Sequence, residues 1–186
     1  AAAARSNAWF IHYSTDYVFD GEGAKPYSED DLPAPRSAYG RSKLAGEEAI
    51  RAAGCQHLIF RTSWVFAARG GNFAKTMLRL ASEREELRVI ADQFGAPTGA
   101  DLIADVTALA LYRLVTRAND AQALSGTYHL AARGETSWHG YASYVVSEAR
   151  RLGAVLKVDP QRIHAIGTAG QRQRGFGPVF GGQLPH

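Results

Sequence analysis

A tyrosine and a lysine four residues apart, Tyr39 and Lys43, share one face of any helix that contains them. A free phenol has a pKa near 10 and is a poor acid–base catalyst at neutral pH. A fixed ammonium beside it favours the phenolate and is expected to lower that pKa. A third group stands upstream in Ser14-Thr15-Asp16-Tyr17-Val18-Phe19-Asp20-Gly21, where the Thr15 hydroxyl can share a proton and hold a carbonyl oxygen. Together these groups could move a proton between an alcohol and a ketone while a hydride moves elsewhere.

The elements that position them read clearly. The apolar run Trp9–Ser14 reads as a strand buried on both faces, as in a parallel sheet, with His12 packed in the core rather than acting as a ligand. A loop with Gly21, Gly23, Pro26, Pro33 and Pro35 follows, and its acidic residues Glu29, Asp30 and Asp31 read as solvated. Ser37 is placed to cap a helix over Ala38–Ala53, with Leu44, Ala45, Ala49, Ile50 and Ala53 inward, Glu47 and Glu48 facing solvent, and Gly54 as the stop. His57–Phe66 reads as a strand running into a loop. Helix then strand gives the βαβ order of a doubly wound α/β sheet. Ligands of such sheets bind beyond the carboxyl ends of the strands, so Thr15 and Trp64 are expected at one crevice.

Further on, Asn72 caps a helix over Phe73–Arg84, Leu87–Ala91 is a short strand, and residues 92–99 are a turn-rich loop. A helix over Asp101–Arg117 turns Leu102, Val106, Leu109, Ala110 and Leu114 inward. Gly126–Ala131 is a strand, Ser137–Leu152 a helix stopped by Gly153, and Val155–Val158 a last short strand. From Gly167 the periodicity fails, and residues 167–186, rich in Gly, Gln and Arg, are expected to be poorly ordered or foreign to the fold.

Tyr-x-x-x-Lys alone recurs by chance. Here the hydroxyl block ends a strand and the tyrosine opens the next helix, which is the order in extended short-chain dehydrogenases/reductases. Residues 8–166 resemble the carboxyl-terminal part of the dTDP-4-dehydrorhamnose reductase branch of that family. The resemblance rests on Ser14–Gly21, Tyr39–Lys43, Phe60-Arg61-Thr62-Ser63-Trp64-Val65-Phe66, Asn72–Leu80 and Asp92–Thr98. It implies a Rossmann-like domain lacking its first strands, with interleaved substrate-binding segments. It also implies reduction of dTDP-4-dehydro-beta-L-rhamnose to dTDP-L-rhamnose with NADPH or NADH. By motif, Thr15, Tyr39 and Lys43 become the catalytic trio. Thr15, Asp16 and Trp64 become sugar contacts, and Tyr39 and Lys43 ribose contacts of the cofactor.

Two departures qualify the expectation. Family members open with a Gly-rich strand–turn–helix that takes the cofactor pyrophosphate, and no such turn precedes Ser14. Near the other end, Gly175-Phe176-Gly177-Pro178 stands where the family carries an Arg-Pro stretch. The chain is therefore expected to be a fragment, inactive by itself. The competing reading is a cofactor-binding regulatory subunit without turnover, and the intact Thr, Tyr and Lys set argues against it.

Composition narrows the remaining classes. The 186 residues carry 21 Lys and Arg against 18 Asp and Glu, and the small excess lies largely in Arg162, Arg172 and Arg174. That is thin support for nucleic-acid binding, which is not expected. No apolar run is long enough to span a bilayer, and no signal peptide is read. The single cysteine, Cys55, reads as a small buried hydrophobe and fits a reducing cytoplasm. Asp101 and Asp105 lie one helical turn apart. Some family members hold magnesium near a dimer contact, so a homodimer stays open. For these two residues a solvated helix start with a favourable negative charge is preferred to a metal site.

Overall fold

The computed structural model describes residues 2–23, 25–116 and 121–168. The chain divides into two compact units, Ala1–Ser63 with Asp101–Ala131, and Trp64–Ala100 with Ala132–His186. Along the chain run α1 (Ala2–Arg5), β1 (Phe10–Thr15), α2 (Ala38–Ala52), β2 (His57–Thr62), β3 (Val65–Phe66), α3 (Phe73–Glu83) and β4 (Leu87–Ile90). They are followed by β5 (Phe94–Gly95), β6 (Thr98–Gly99), α4 (Ala100–Thr116), β7 (Gly126–His129), β8 (Thr136–Ser137), α5 (Trp138–Arg151) and β9 (Ile163–Ile166).

The first unit is built on a parallel sheet of order β1-β2-β7. Alternation along β2 sends Leu58 and Phe60 to one face, where they pack with Ala110 and Leu114 of α4. Arg61, of opposite parity, reaches Glu47 of α2. Helices therefore cover both faces, as in a doubly wound α/β sheet. β1 is an edge strand of this sheet, and the expectation of burial on both faces fails over its first four residues. Phe10 is 40% and Tyr13 43% exposed, while Ser14 and Thr15 at the carboxyl end are buried.

α2 begins where Ser37 accepts the Gly40 N–H at 2.9 Å and ends before Gly54, whose φ of +64° suits a residue without a Cβ. Its inward face differs from the expected stripe. Gly40 and Glu47 are buried, whereas Ala45 and Ala49 are exposed. Glu47 has no exposed surface, the opposite of the solvent position expected for it, because Arg61 supplies a partner below the helix. α4 is also rotated from expectation. Ile103, Thr107 and Leu114 are buried, while Leu102 and Leu109 are exposed.

The second unit packs α3 and α5 with the parallel pair β4–β9 around Phe73, Met77, Leu87, Val89, Trp138, Tyr141 and Val146. Asn72 and Ser137 cap α3 and α5 by accepting the Lys75 and Gly140 N–H groups. Residues 155–158 do not form the expected strand. Val155 is 96% exposed, and Val158 is buried under a backbone bond to the Ala81 carbonyl. The strand that pairs with β4 is β9 instead. Residues 92–99, expected as a loop, contribute β5 paired with β8 and β6 paired with β3. Of the tail expected to lack order, Gly167 and Thr168 are described, and Thr168 is bonded through its N–H and hydroxyl to Asp92, both at 2.8 Å. Residues 169–186 lie outside the described residues.

Candidate active site

Thr15 ends β1 in extended conformation, with φ −144° and ψ 154°. The chain then enters a short 3-10 turn, Asp16–Val18, which Thr15 caps by accepting the Tyr17 N–H at 3.2 Å. The hydroxyl donates to Asp16 Oδ1 at 3.1 Å. Ser63, just beyond β2, donates to Asp16 Oδ2 at 2.7 Å. Asp16 is thus held between the carboxyl ends of two neighbouring strands. Burial pushes its carboxyl above the usual range, against the bonds from Ser63 and Thr15.

Tyr39 sits in the first turn of α2, 47% exposed, edge-on to the Tyr17 ring with centroids 6.2 Å apart. The helix can approach this turn because Gly40 has no side chain; a Cβ there would strike the Tyr17 carbonyl and Pro35. Burial raises the Tyr39 phenol above its ordinary value, the nearby Thr15 hydroxyl opposes this, and the Asp16 charge adds to it. Tyr17 beneath it is pushed up to about 12, by burial first and then by Asp16 and Tyr39.

Lys43 lies one turn further along α2 and donates from Nζ to the Tyr13 carbonyl at 2.5 Å. Burial draws its ammonium below the usual value, and the Glu47 charge works against this. The expectation that Lys43 lowers the Tyr39 pKa is therefore corrected. Here the lysine is directed to the backbone of β1, and desolvation governs the phenol. His12, expected as a core residue, is half-buried with its pKa drawn down by burial and by Lys43.

Thr15, Asp16, Tyr39 and Lys43 all belong to the first unit. Trp64 opens the second, where its backbone takes a left-handed φ of 44°. Its ring stacks on Trp138 with centroids 3.4 Å apart and planes at 10°, and Gly95 lies so close that a Cβ would meet the indole. Trp64 is thus a half-buried member of the aromatic core of its unit.

The site holds residues that sequence reasoning missed. Glu47 continues the Tyr39–Lys43 spacing by four more residues, a progression that could have revealed it. Arg61 and Ser63 carry no comparable sign, since each becomes visible only when β2 lies beside β1. Glu29, read as solvated, accepts the His129 N–H at 2.8 Å and anchors the long loop to β7. Asp101 and Asp105 are exposed, and among the described residues no group of three or more His, Cys, Asp and Glu could hold a metal ion. Cys55 is half-buried. No helix among the described residues is long and apolar enough to cross a membrane.

A parallel α/β sheet with a threonine at a strand end and Tyr-x-x-x-Lys on the next helix defines a Rossmann-like protein of the extended short-chain dehydrogenase/reductase type. Residues 1–174 match the family model described as the RmlD substrate binding domain, and the chain belongs to that family. It is 56% identical over 167 residues to dTDP-4-dehydrorhamnose reductase of Shigella flexneri and 54% identical to that of Escherichia coli K12, in each case over 90% of this chain and 54% of the relative. The chain therefore spans about half the length of these curated relatives. A solved structure of dTDP-4-dehydrorhamnose reductase from Bacillus anthracis, in complex with NADP, superposes with a TM-score of 0.74 at 37% identity, over 91% of this chain and 54% of that one.

Proposed function

We propose that this chain carries the proton-handling half of a reductase that converts dTDP-4-dehydro-beta-L-rhamnose to dTDP-L-rhamnose. The observation that supports this most is the convergence of Thr15, Tyr39 and Lys43 at the carboxyl end of β1. The family relatives add the substrate class, and the NADP held by the Bacillus anthracis protein adds the cofactor class.

The residues fit the ribose end of a nicotinamide cofactor. Tyr39 is half-exposed, and an ammonium has three donors, of which the Tyr13 carbonyl takes one. A ribose diol could be held by the remaining N–H groups and by the phenol. When bound, the cofactor supplies the hydride. The protein's share is the proton. A phenol whose pKa lies above its ordinary value keeps its proton at neutral pH, so Tyr39 holds the proton that the oxygen gaining charge would take, while desolvation makes it a weaker acid for that step. Thr15 orients the carbonyl, and Asp16 fixes the direction of the Thr15 hydroxyl.

The test is Tyr39→Phe in the protein that carries this chain. NADPH-dependent turnover of the keto sugar should fall by about two to four orders of magnitude, with cofactor affinity nearly unchanged. Near-normal turnover would remove Tyr39 from the chemistry. Absence of turnover in the unaltered protein, with cofactor still bound, would favour a regulatory module.

A further inference from the structure

Tyr39, Lys43 and Glu47 follow one another at four-residue steps along α2, and Glu47 is the member of the series that is fully buried. Its carboxylate receives Arg61 Nε–H at 3.0 Å on Oε1 and Nη2–H at 2.8 Å on Oε2. Arg51, from the same helix, adds a longer contact to Oε2 at 3.3 Å. Arg61 is itself buried, and its guanidinium lies over the Phe19 ring at 5.1 Å from the centroid. On the sheet it is in register with Ser14, the residue before Thr15.

This arrangement costs desolvation of two charges, and an apolar pair of equal volume would often be as stable or more so. A two-pronged guanidinium–carboxylate contact does something an apolar contact does not. It fixes direction, because the planar fork meets the two oxygens in one orientation. The helix that carries Tyr39 and Lys43 is thereby prevented from turning or sliding on the strands that present Thr15 and Ser63. Glu47 also sits one turn from Lys43, where its charge supports the ammonium against burial.

We propose that Glu47 and Arg61 are positioning residues, whose buried bidentate contact sets the rotation of α2 and so the placement of Tyr39 and Lys43 at the end of β1. The proposal rests on the reductase reading for its effect on turnover, but its geometric content stands apart from it.

In the full protein that carries this chain, the experiment compares the unaltered form with Glu47→Leu/Arg61→Met, which replaces the pair by apolar volume, and with Arg61→Lys, which keeps the charge and loses the fork. Three readouts are taken: the urea midpoint, the 13C-tyrosine resonance of Tyr39 (assigned through Tyr39→Phe) with its titration midpoint, and kcat and KM for the keto sugar. The double variant should unfold at an unchanged or higher urea midpoint, yet show a displaced Tyr39 resonance. Its kcat should fall by about a hundredfold, as expected for misplacement on the ångström scale, with KM within about twofold. A folded double variant with the original Tyr39 resonance and titration midpoint would overturn the proposal. If the double variant does not fold, Arg61→Lys decides on the same resonance, displaced in support or unmoved against. Lack of turnover in the unaltered protein would sink the reductase reading, while the tyrosine spectra would still decide the positioning claim.

Discussion

The two units solve the problem of an interior in different ways. In the first, the buried set includes Ser14, Thr15, Glu47, Arg61, Thr62, Ser63 and Thr107 beside a small cluster of Leu58, Phe60 and Leu114. In the second, the cluster is apolar and aromatic, with Phe73, Trp138 and Tyr141 packed among Met77, Leu87, Val89 and Val146, and Thr98 is the one buried polar residue among those described. A polar interior specifies orientation, because hydrogen bonds are directional. An apolar interior specifies volume. The unit with the polar interior is the one that carries Thr15, Tyr39 and Lys43.

Removing one key side chain from each interior should produce the largest effects and the clearest contrast. Arg61→Met leaves the Glu47 carboxylate buried without its two closest donors, and should cost about 3–5 kcal/mol. Trp138→Ala opens a cavity beneath Trp64 and Phe73, which lie 3.4 and 4.5 Å from its ring by centroid, and should cost about 3–5 kcal/mol as well. The contrast lies in rescue. Adding Glu47→Leu should restore most of the Arg61→Met loss, since the uncompensated charge is gone. No polar substitution should restore the Trp138→Ala loss. Urea unfolding combined with amide exchange, read separately over β2 and α5, checks both. Failure of Glu47→Leu to rescue would mean that volume governs the first interior too.

Two glycines sharpen the same contrast at a smaller scale. A Cβ at Gly40 would strike the Tyr17 carbonyl, and one at Gly95 would strike the Trp64 indole. Overpacking typically costs about 1–3 kcal/mol. Gly40→Ala should reach the upper end or exceed it, because a backbone carbonyl in a capped turn cannot move aside. Gly95→Ala should be partly relieved by Trp64→Phe, and no side-chain change should relieve Gly40→Ala. Thermal midpoints of the three variants decide this.

The pH dependence of stability belongs to the first unit. Burial is the largest single influence on the Glu47 carboxyl and raises it, but the bonds and charge of Arg61, with Ser14 and Arg51, together outweigh burial and leave it below the ordinary 4.5. Its contribution is therefore complete above about 4.5 and is lost as pH falls through the lower folded value. Asp16 has the opposite sign. Its folded carboxyl lies above the ordinary 3.8, so it favours the native state below that value and loses the contribution as pH rises through the folded value. Asp16→Asn should remove the second loss and leave the first. The Trp138→Ala penalty, in an apolar cluster without a carboxyl, should be the same at pH 4 and pH 7. A pH-dependent penalty there would break the division between the units.

What was legible in the sequence follows the same line. The serine and asparagine caps and Gly54 mark local geometry, so α2, α3 and α5 were placed within a residue or two. Thr15, Tyr39 and Lys43 stand in a recognisable order, and the structure sets Tyr39 near the Thr15 hydroxyl and Lys43 on the Tyr13 carbonyl. Burial was less legible, because a hydrophobic stripe cannot announce that a glutamate is inward. Glu47 needed Arg61, fourteen residues away and on a strand. Likewise Ile163–Ile166 is a strand because β4 offers an edge, whereas Val155–Val158, the more β-prone string, finds none. The left-handed turn at Trp64, which ends the long apolar run, has no glycine to mark it.

The smallest expected effect is also the most controlled comparison. Ser37 and Ser137 cap α2 and α5 with nearly the same geometry, at φ −91° and ψ 155° against φ −82° and ψ 164°. Each accepts the N–H of a glycine three residues on, at 2.9 and 3.0 Å. Replacing either by alanine leaves one first-turn donor without its acceptor and should cost about 1 kcal/mol; replacement by glycine should cost only a few tenths. The two serines should therefore be equal in stability and unequal in consequence. The first turn of α2 carries Tyr39 against the Tyr17 ring, so fraying there displaces a group at the site. The first turn of α5 carries Trp138, which is pinned between Trp64 and Phe73 and should stay in place. Urea midpoints should shift alike in Ser37→Ala and Ser137→Ala, while the Tyr39 resonance moves only in the first. If it moves in both, the polar unit does not isolate its site from the rest of the chain, and the contrast between the two interiors has no bearing on function.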